Sequence, residues 1–321
     1  MRRWALTLLL AGLGLAGLIA GCGSTSSGED ANAGWIPGLE GVKSGEIEAA
    51  LSLRGPGEGD QLYMRVLAMF LGAGEGNLPR VDGSAEATGQ VGGEKVDFYT
   101  ALITGSHRAA VTYEKDVYEM GPKTFDVIGS SFERALDDGT AADPYACLEA
   151  ATRIDLSRIA GKATERDSSA AADDKTKVVH VTTELKPATL SAALRELTED
   201  PGCGAQLKAA GPLQGQLEAI TTEFENNMEE GSVETFVSKD GLLRELRAKA
   251  VVDLNGKGKT EAEFVYSVSH VNEIDELPPC TGEKQIEALF HKLGYNPLQA
   301  IEAGAPGLAG LLKGIYAKAL A

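Results

Sequence analysis

The stretch that decides the fold lies in the last third of the chain. Residues 242–271 read LLRELRAKAVVDLNGKGKTEAEFVYSVSHV. Apolar residues hold the even positions in both arms, whereas Glu245, Arg247 and Lys249 hold odd positions of the first arm. This alternation predicts two antiparallel strands joined by the turn NGKG. The apolar set is Leu242, Leu246, Ala248, Ala250, Val252 and Leu254, then Ala262, Phe264, Tyr266 and Val268. One apolar and one charged face are typical of a sheet that curls around an interior.

The first third of the chain shows the same alternation. SGEIEAALSL, from Ser44, places Ile47, Ala49, Leu51 and Leu53 on one face. The next segment, QLYMRVLAMFL, is largely apolar on both sides, so strand and helix both remain open there. Four shorter strands are predicted between residues 83 and 120, and the first third is therefore interpreted as a β-meander.

The middle of the chain is predicted to be richer in helices. Helical spacing of apolar residues occurs in residues 122–136, 185–197 and 212–231, and the last of these segments is predicted to end at Gly231. A polar loop is predicted for ERDSSAAADDKTK, residues 165–177, before the strand VVHVTTEL.

The N-terminus has the features of an export signal. Arg2 and Arg3 precede an apolar run that stops at Ile19-Ala20-Gly21-Cys22, and small residues before a cleavage site are typical of secretory signals. The tetrapeptide resembles the lipobox of bacterial lipoproteins, which implies cleavage before Cys22 and attachment of acyl chains such as palmitate to it. An ordinary signal peptide that contains a cysteine is the alternative. The predicted division is a signal peptide over 1–21 and an acylated cysteine with a flexible tether over 22–36.

The net charge of the chain limits the kinds of partner that it can bind. The formal net charge is −17, which disfavours binding to nucleic acid and adsorption to anionic headgroups. Membrane attachment must then come from the acyl chains. We expect the protein on the outer face of the cytoplasmic membrane, or on an outer membrane if the cell has one.

Three cysteines remain apart from Cys22. Cys147, Cys203 and Cys280 allow three single pairings in the oxidising compartment that export implies. A disulfide between Cys147 and Cys203 is favoured because both lie in the helix-rich middle. A metal site is not expected, since no two cysteines are close in sequence and no histidine is near any of them.

Catalytic motifs are absent from the sequence. GLGLAG, residues 12–17, lies inside the signal segment with no strand before it, and DLNGKG lacks the oxygen ligands of a calcium loop. The histidines at 107, 180, 270 and 291 are scattered. No enzymatic activity and no cofactor are therefore expected.

The order of segments resembles a known family. GVKSGEIEAALSL, DVYEMG, TFDVIGSSF and the terminal meander are similar to the actinobacterial LppX/LprAFG lipoproteins and, more distantly, to the LolA/LolB lipoprotein carriers. The resemblance implies an α+β fold, a highly curved antiparallel β-sheet (half-barrel) with helices packed on the concave side. It covers residues 37–280, and residues 281–321 are predicted to form a C-terminal helical extension.

The resemblance also implies a role, because several of these proteins hold acylated lipid. The leading hypothesis is an exported lipoprotein that binds an acyl-chain ligand and carries or senses lipid at the cell envelope. The alternative is a cell-surface scaffold or protein-interaction module whose core is filled by its own side chains. The predicted cavity lining is Leu51, Leu53, Val66, Phe70, Phe98, Leu102, Phe236, Leu246, Phe264 and Tyr266.

Overall fold

A large antiparallel sheet dominates the fold, as shown by a computed structural model. The structure describes residues 42–72, 80–91, 93–104, 108–127, 130, 164–168, 178–184, 186–204, 222, 225–238, 242–253, 258–279 and 281–302. The sheet is curved and unclosed, which confirms the coarse prediction of a half-barrel. Its strand order is β12-β6-β5-β4-β3-β2-β1-β11-β10-β9-β8-β7.

Six strands from the first third of the chain form one half of the sheet. They are β1 (Ser44–Arg54), β2 (Gln61–Leu71), β3 (Arg80–Val91), β4 (Glu94–Thr104), β5 (Ala109–Tyr113) and β6 (Asp116–Met120). Each pairs with the next along the chain, so the predicted meander is confirmed. The segment left open between helix and strand, QLYMRVLAMFL, is β2.

Five strands form the other half, and a twelfth adds an edge. They are β7 (Thr164–Ser168), β8 (Val178–Glu184), β9 (Met228–Ser238), β10 (Leu243–Asp253) and β11 (Lys259–Ser269), with β12 (Lys284–Gln285) parallel to β6. The two halves join where β11 pairs with β1, with Leu51 directly opposite Phe264. The first strand of the chain is therefore central in the sheet.

The helices are few among the described residues. Three of them are α1 (Pro187–Glu199), α2 (Ile286–Leu293) and α3 (Pro297–Glu302), and residues 122–127, 201–204 and 225–227 are helical as well. Pro187 begins α1, where its missing N–H costs no helical hydrogen bond. Gly294 ends α2 with a φ of 86°, a left-handed conformation that glycine adopts without a steric penalty.

Two local predictions were wrong. The segment predicted as a polar loop contains Glu165–Ser168 of β7, which pairs with β8 at the end of the sheet. The helix predicted to end at Gly231 does not include Met228–Gly231, which belong to β9 and pair with β10. In both places the pairing with a neighbouring strand overrides the local pattern, because ladder hydrogen bonds satisfy the backbone of a polar segment as well as that of an apolar one.

The C-terminal segment joins the main core. Ile286, Leu289 and Phe290 of α2 are fully buried in the same apolar cluster as residues of β2 to β6, and β12 extends the sheet beside β6. Within residues 281–302, α2 and β12 thus pack on the sheet that the first third of the chain forms. Residues 303–321 lie outside the described part of the chain.

Candidate ligand-binding face

The strand register divides the sheet into two faces of opposite character. Leu51, Met64, Ala87 and Phe98 follow one another across β1 to β4, and Phe264 continues the row on β11. We call the side of the sheet that carries this row the apolar face. From β8 through β5, and outside the two bulges of the β9–β10 pair, Glu94 is the one charged residue among the described residues that share it, and it is paired with Val91 at the start of β4.

The opposite side, which we call the charged face, carries ion pairs between neighbouring strands. Arg65 Nε lies 2.7 Å from Glu48 Oε1. Lys249 Nζ lies 3.2 Å from Glu263 Oε1, and Arg54 pairs with Glu261 at 3.2 Å. Exposed pairs of this kind add little stability, at most about 1 kcal/mol each. Around these pairs the side chains are partly exposed, so in β1, β2, β10 and β11 the apolar face is the side available for burial.

One part of the apolar face is closed by the chain itself. α2 packs over it through Ile286, Leu289 and Phe290, whose side chains have no exposed surface. The cluster includes Leu62, Met64, Val66, Phe98, Val111, Tyr113, Tyr118 and Met120. This part is an ordinary packed core of β2 to β6.

The remaining part of the apolar face is half-buried. Leu51 of β1, Leu246 of β10 and Phe264 of β11 all keep part of their surface exposed. The side chains between them are small: Ala248 lies opposite Phe264, and Ala250 lies opposite Ala262. Small side chains leave room above the backbone, so this stretch, which we call the alanine floor, forms the open part of the apolar face.

The predicted lining residues fall on both faces. Nine of the ten share the apolar face: Leu51, Leu53, Val66, Phe70, Phe98, Leu102, Leu246, Phe264 and Tyr266. These nine residues differ in packing, since Val66 and Phe98 belong to the buried cluster that includes α2, while Leu246 and Phe264 border the alanine floor. Their contact with a ligand stays a prediction.

Phe236 lies on the charged face, and its predicted place in the lining is wrong. A bulge at Arg244 separates the pairs Leu243–Val237 and Glu245–Phe236. Phe236 is therefore opposite Glu245 rather than beside Leu246. Its ring stacks on the imidazole of His180, with 4.3 Å between centroids and 4° between planes.

The alanines were missed by sequence reasoning, which selected large apolar side chains as cavity lining. The available signal was the run of small residues at alternate positions of two adjacent predicted strands. Ala248, Ala250 and Ala262 all occupy even positions, where a large side chain would fill the space that a ligand needs.

Tyr266 is the titratable group of the open part. It lies opposite Ala49 on one side and Leu246 on the other. Burial alone raises the pKa of its phenol to about 12, because the apolar surroundings disfavour the phenolate. The group therefore keeps its proton at any physiological pH.

A pocket of about 570 Å³ lies near the turn between β1 and β2. Most of its lining belongs to the charged face, including Arg54, Tyr63, Lys249, Glu261 and Glu263. Ala250 and Ala262 of the alanine floor are also among the lining residues, so the pocket adjoins the floor.

Groups for metal or acid–base chemistry do not converge within the part of the chain that is described. No cluster of three or more His, Cys, Asp or Glu there could hold a metal ion. His180 lies in β8, within 3.3 Å of Glu234, and His270 lies 3.5 Å from Glu273. Among the same residues no helix is both long enough and apolar enough to cross a membrane.

The cysteine predictions fall largely outside the described residues. Cys203 is 2% exposed. Cys22, Cys147 and Cys280 lie outside the described ranges, so the lipidation of Cys22 and the pairing of Cys147 with Cys203 stay predictions.

Comparison with known proteins gives likenesses of structure alone. No protein-family model matches the chain, and no curated protein does. The structure is similar to LprF from Mycobacterium bovis, with 11% identity over 86% of this chain and 97% of that one and a TM-score of 0.32. It is also similar to lipoprotein LppX from Mycobacterium tuberculosis, with 10% identity over 84% and 98% of the two chains and a TM-score of 0.26. These are members of the group that the sequence resembles.

Proposed function

We propose that the protein binds an acyl-chain ligand over the alanine floor. The observation that carries the proposal is that the apolar face of β1, of β11 and of residues 246–252 carries no charged residue, while Leu51, Leu246 and Phe264 there stay partly exposed. Apolar surface left in water costs about 25 cal/mol per Å². An alkyl chain on the floor removes its own surface and that of the protein from water at the same time.

The shape of the alanine floor suits a thin ligand better than it suits a cluster of protein side chains. Ala248, Ala250 and Ala262 end in methyl groups, while Leu246 and Phe264 rise beside them. A polymethylene chain fits a trough of this kind, and each buried CH₂ contributes about 0.8 kcal/mol. The proposal assigns a binding role and no catalytic step.

The cellular setting follows from the N-terminus. We propose that residues 1–21 are removed on export and that acyl chains on Cys22 hold the protein at the cell envelope, where it carries or senses lipid. A disulfide between Cys147 and Cys203 is part of the same proposal. Comparing the intact mass before and after reduction, with peptide mapping, would identify the bonded pair, and a free Cys147 would contradict that pairing.

Native mass spectrometry of the mature protein, purified without detergent from a lipid-rich host, tests the ligand. A non-covalent adduct of lipid mass, lost on denaturation, is the expected result. Ala250→Phe fills the floor and should lower the bound fraction at least tenfold. Ala50→Phe is the matched control, because Ala50 is also half-buried but lies on the charged face of β1.

Two outcomes would contradict the proposal. One is a wild-type protein that carries no adduct and takes up none of an added diacylglycerol. The other is equal loss of lipid in both variants while circular dichroism shows both folded. Either result would favour the alternative, a scaffold or protein-interaction module whose core is filled by its own side chains.

A further inference from the structure

The pocket near the turn between β1 and β2 has no part in the proposed function. Its volume of about 570 Å³ lies within the range of about 300–1,000 Å³ that is typical of small-molecule sites. We call it the polar groove. Its exposed or partly exposed polar side chains are those of Ser52, Arg54, Gln61, Tyr63, Thr88, Lys249, Glu261 and Glu263.

The polar groove opens on the charged face of the sheet. On β2 it includes Gln61 and Tyr63, which are exposed, and Leu62, which is 2% exposed and belongs to the main apolar cluster. Because side chains alternate along a strand, Leu62 contributes its backbone to the groove. The same holds for Ala250 and Ala262, which share the apolar face. The groove and the alanine floor therefore share backbone but open on opposite sides of the sheet.

One row of the groove runs straight across the strands. Successive cross-strand neighbours on β10, β11, β1, β2 and β3 are Lys249, Glu263, Ser52, Tyr63 and Thr88. Five strands that lie about 4.8 Å apart give this row a length of about 19 Å. A ligand that follows the row must be extended and polar.

The charges of the groove are already matched. Arg54 Nη1 lies 3.2 Å from Glu261 Oε2, and Lys249 Nζ lies 3.2 Å from Glu263 Oε1. A charged ligand would have to compete with one of these ion pairs. Hydroxyl groups can donate to the carboxylates and accept from the cations without separating them. The lining therefore favours a neutral ligand with many hydroxyl groups.

Two exposed aromatic rings lie on the same face. Tyr63 is 37% exposed, and Tyr99 on β4 is 47% exposed. Thr88 is opposite Tyr63, and Glu86 on the same strand is opposite Tyr99, which places the two tyrosine backbones about 12 Å apart. A tyrosine offers an apolar ring and a polar hydroxyl, and a sugar likewise has an apolar ring face and a polar edge.

We propose that the polar groove binds an extended chain of neutral sugars, with Tyr63 and Tyr99 each stacking on a sugar ring. A hexose is roughly as long as the spacing between neighbouring strands, so about four sugars span the row. The ion pairs of the lining then exchange hydrogen bonds with the sugar hydroxyls. This ligand differs from an acyl chain in chemistry and in the side of the sheet, so the inference goes beyond the proposed function and is independent of it.

Isothermal titration calorimetry of the mature protein with cellohexaose, mannohexaose and xylohexaose, all extended and neutral, tests the proposal. At least one should bind, and a hexamer of galacturonic acid should bind more weakly. Tyr63→Ala should weaken binding about tenfold and Tyr99→Ala about fivefold, because each variant loses a stacking ring. Tyr63→Phe should retain the affinity within about threefold, because the ring remains.

Met69→Ala is the matched control. Met69 lies on the same strand and face as Tyr63, near the other end of β2 and outside the groove. Phe264→Ala, on the apolar face, is a second control. Both should bind the sugar chain as the wild type does.

Three results would overturn the proposal. The first is that none of the three neutral hexasaccharides binds at millimolar concentration. The second is full affinity in Tyr63→Ala protein that circular dichroism shows to be folded. The third is a loss of affinity in Met69→Ala or Phe264→Ala as large as in Tyr63→Ala, because the sugar would then bind elsewhere.

Discussion

The imidazole of His180 and the ring of Phe236 lie parallel, 4.3 Å apart, on the charged face of the sheet. The guanidinium carbon of Arg247 lies 5.3 Å from the centroid of the same ring. Phe236 is 6% exposed and packs against buried Val178, so a phenylalanine on this side is buried away from the open part of the apolar face. Substitutions at Phe236 should therefore affect the stability of the protein without affecting ligand binding on the apolar face.

Phe236→Ala should cost stability without affecting the ligand. Replacing a buried phenylalanine by alanine lowers the free energy of unfolding by about 3–5 kcal/mol, and urea denaturation measures this change. Phe264→Ala, on the apolar face and only half-buried, should cost less than about 2 kcal/mol yet lower lipid binding at least fivefold. A fall in lipid binding in folded Phe236→Ala protein would contradict this separation.

Gly89 is predicted to be intolerant of any side chain. Its φ is +147°, and an added Cβ would lie 2.1 Å from the carbonyl oxygen of Gln61. Gly89→Ala should therefore destabilise the protein by about 3 kcal/mol, from overlap and backbone strain together. Gly83 on the same strand is the control, because its added Cβ would make only ordinary contacts of 3.6–3.7 Å. Similar urea midpoints for the two alanine variants would refute the prediction.

Phe290 should anchor the C-terminal segment to the sheet. Its side chain has no exposed surface and belongs to the main apolar cluster. Phe290→Ala should lower the free energy of unfolding by about 3–5 kcal/mol. Leu298, in α3, is 71% exposed, and Leu298→Ala should change it by no more than about 0.5 kcal/mol. A mild effect of Phe290→Ala would mean that α2 is not part of the folding core.

Asp116 should make the attachment of the C-terminal segment sensitive to acid. Lys284 Nζ lies 2.7 Å from its carboxylate, and this hydrogen bond, followed by that from Tyr118, holds the pKa of Asp116 below its usual range. The folded state thus favours the charged form. The stability that Asp116 contributes is fully present above the ordinary pKa of an aspartate, about 3.9. It is lost as the pH falls through the lower pKa that Asp116 has in the folded protein.

Urea midpoints measured between pH 7 and pH 3 check this effect. The wild type should lose more stability below about pH 4 than Asp116→Asn does, because the variant lacks the titrating group. Asp97→Asn is the control, since Asp97 is an exposed partner of Lys95 on β4. Parallel curves for wild type and Asp116→Asn would contradict the assignment.

The sequence predicted the fold where each strand has one charged side. In β10 and β11 the charges of Arg247, Lys249 and Glu263 mark the outer side, so the apolar side follows from alternation alone. β9 is different, because Thr235, Phe236 and Val237 give no clear side and the bulge at Arg244 shifts the register. A bulge is a property of the paired strands, and neither strand encodes it by itself.

The candidate site was predicted in part for the same reason. Large apolar residues such as Leu246 and Phe264 are evident from the pattern, and both lie on the apolar face. Tertiary packing decides which residues join the buried cluster that includes α2, and it separates Phe98 from Phe264 although they share a row.

The central position of β1 sets the order in which the sheet can be completed. β2 can pair with β1 as soon as β2 is synthesised. The partner of Arg54 on β11, Glu261, is 207 residues further along the chain and is synthesised much later. Throughout that interval one edge of β1 has backbone donors and acceptors with no neighbouring strand, and such an edge is a template for pairing with other chains. Completion of the sheet is therefore a late event that depends on the far end of the molecule. A chain truncated before β11 would be prone to aggregate even though all six strands of its first meander were intact.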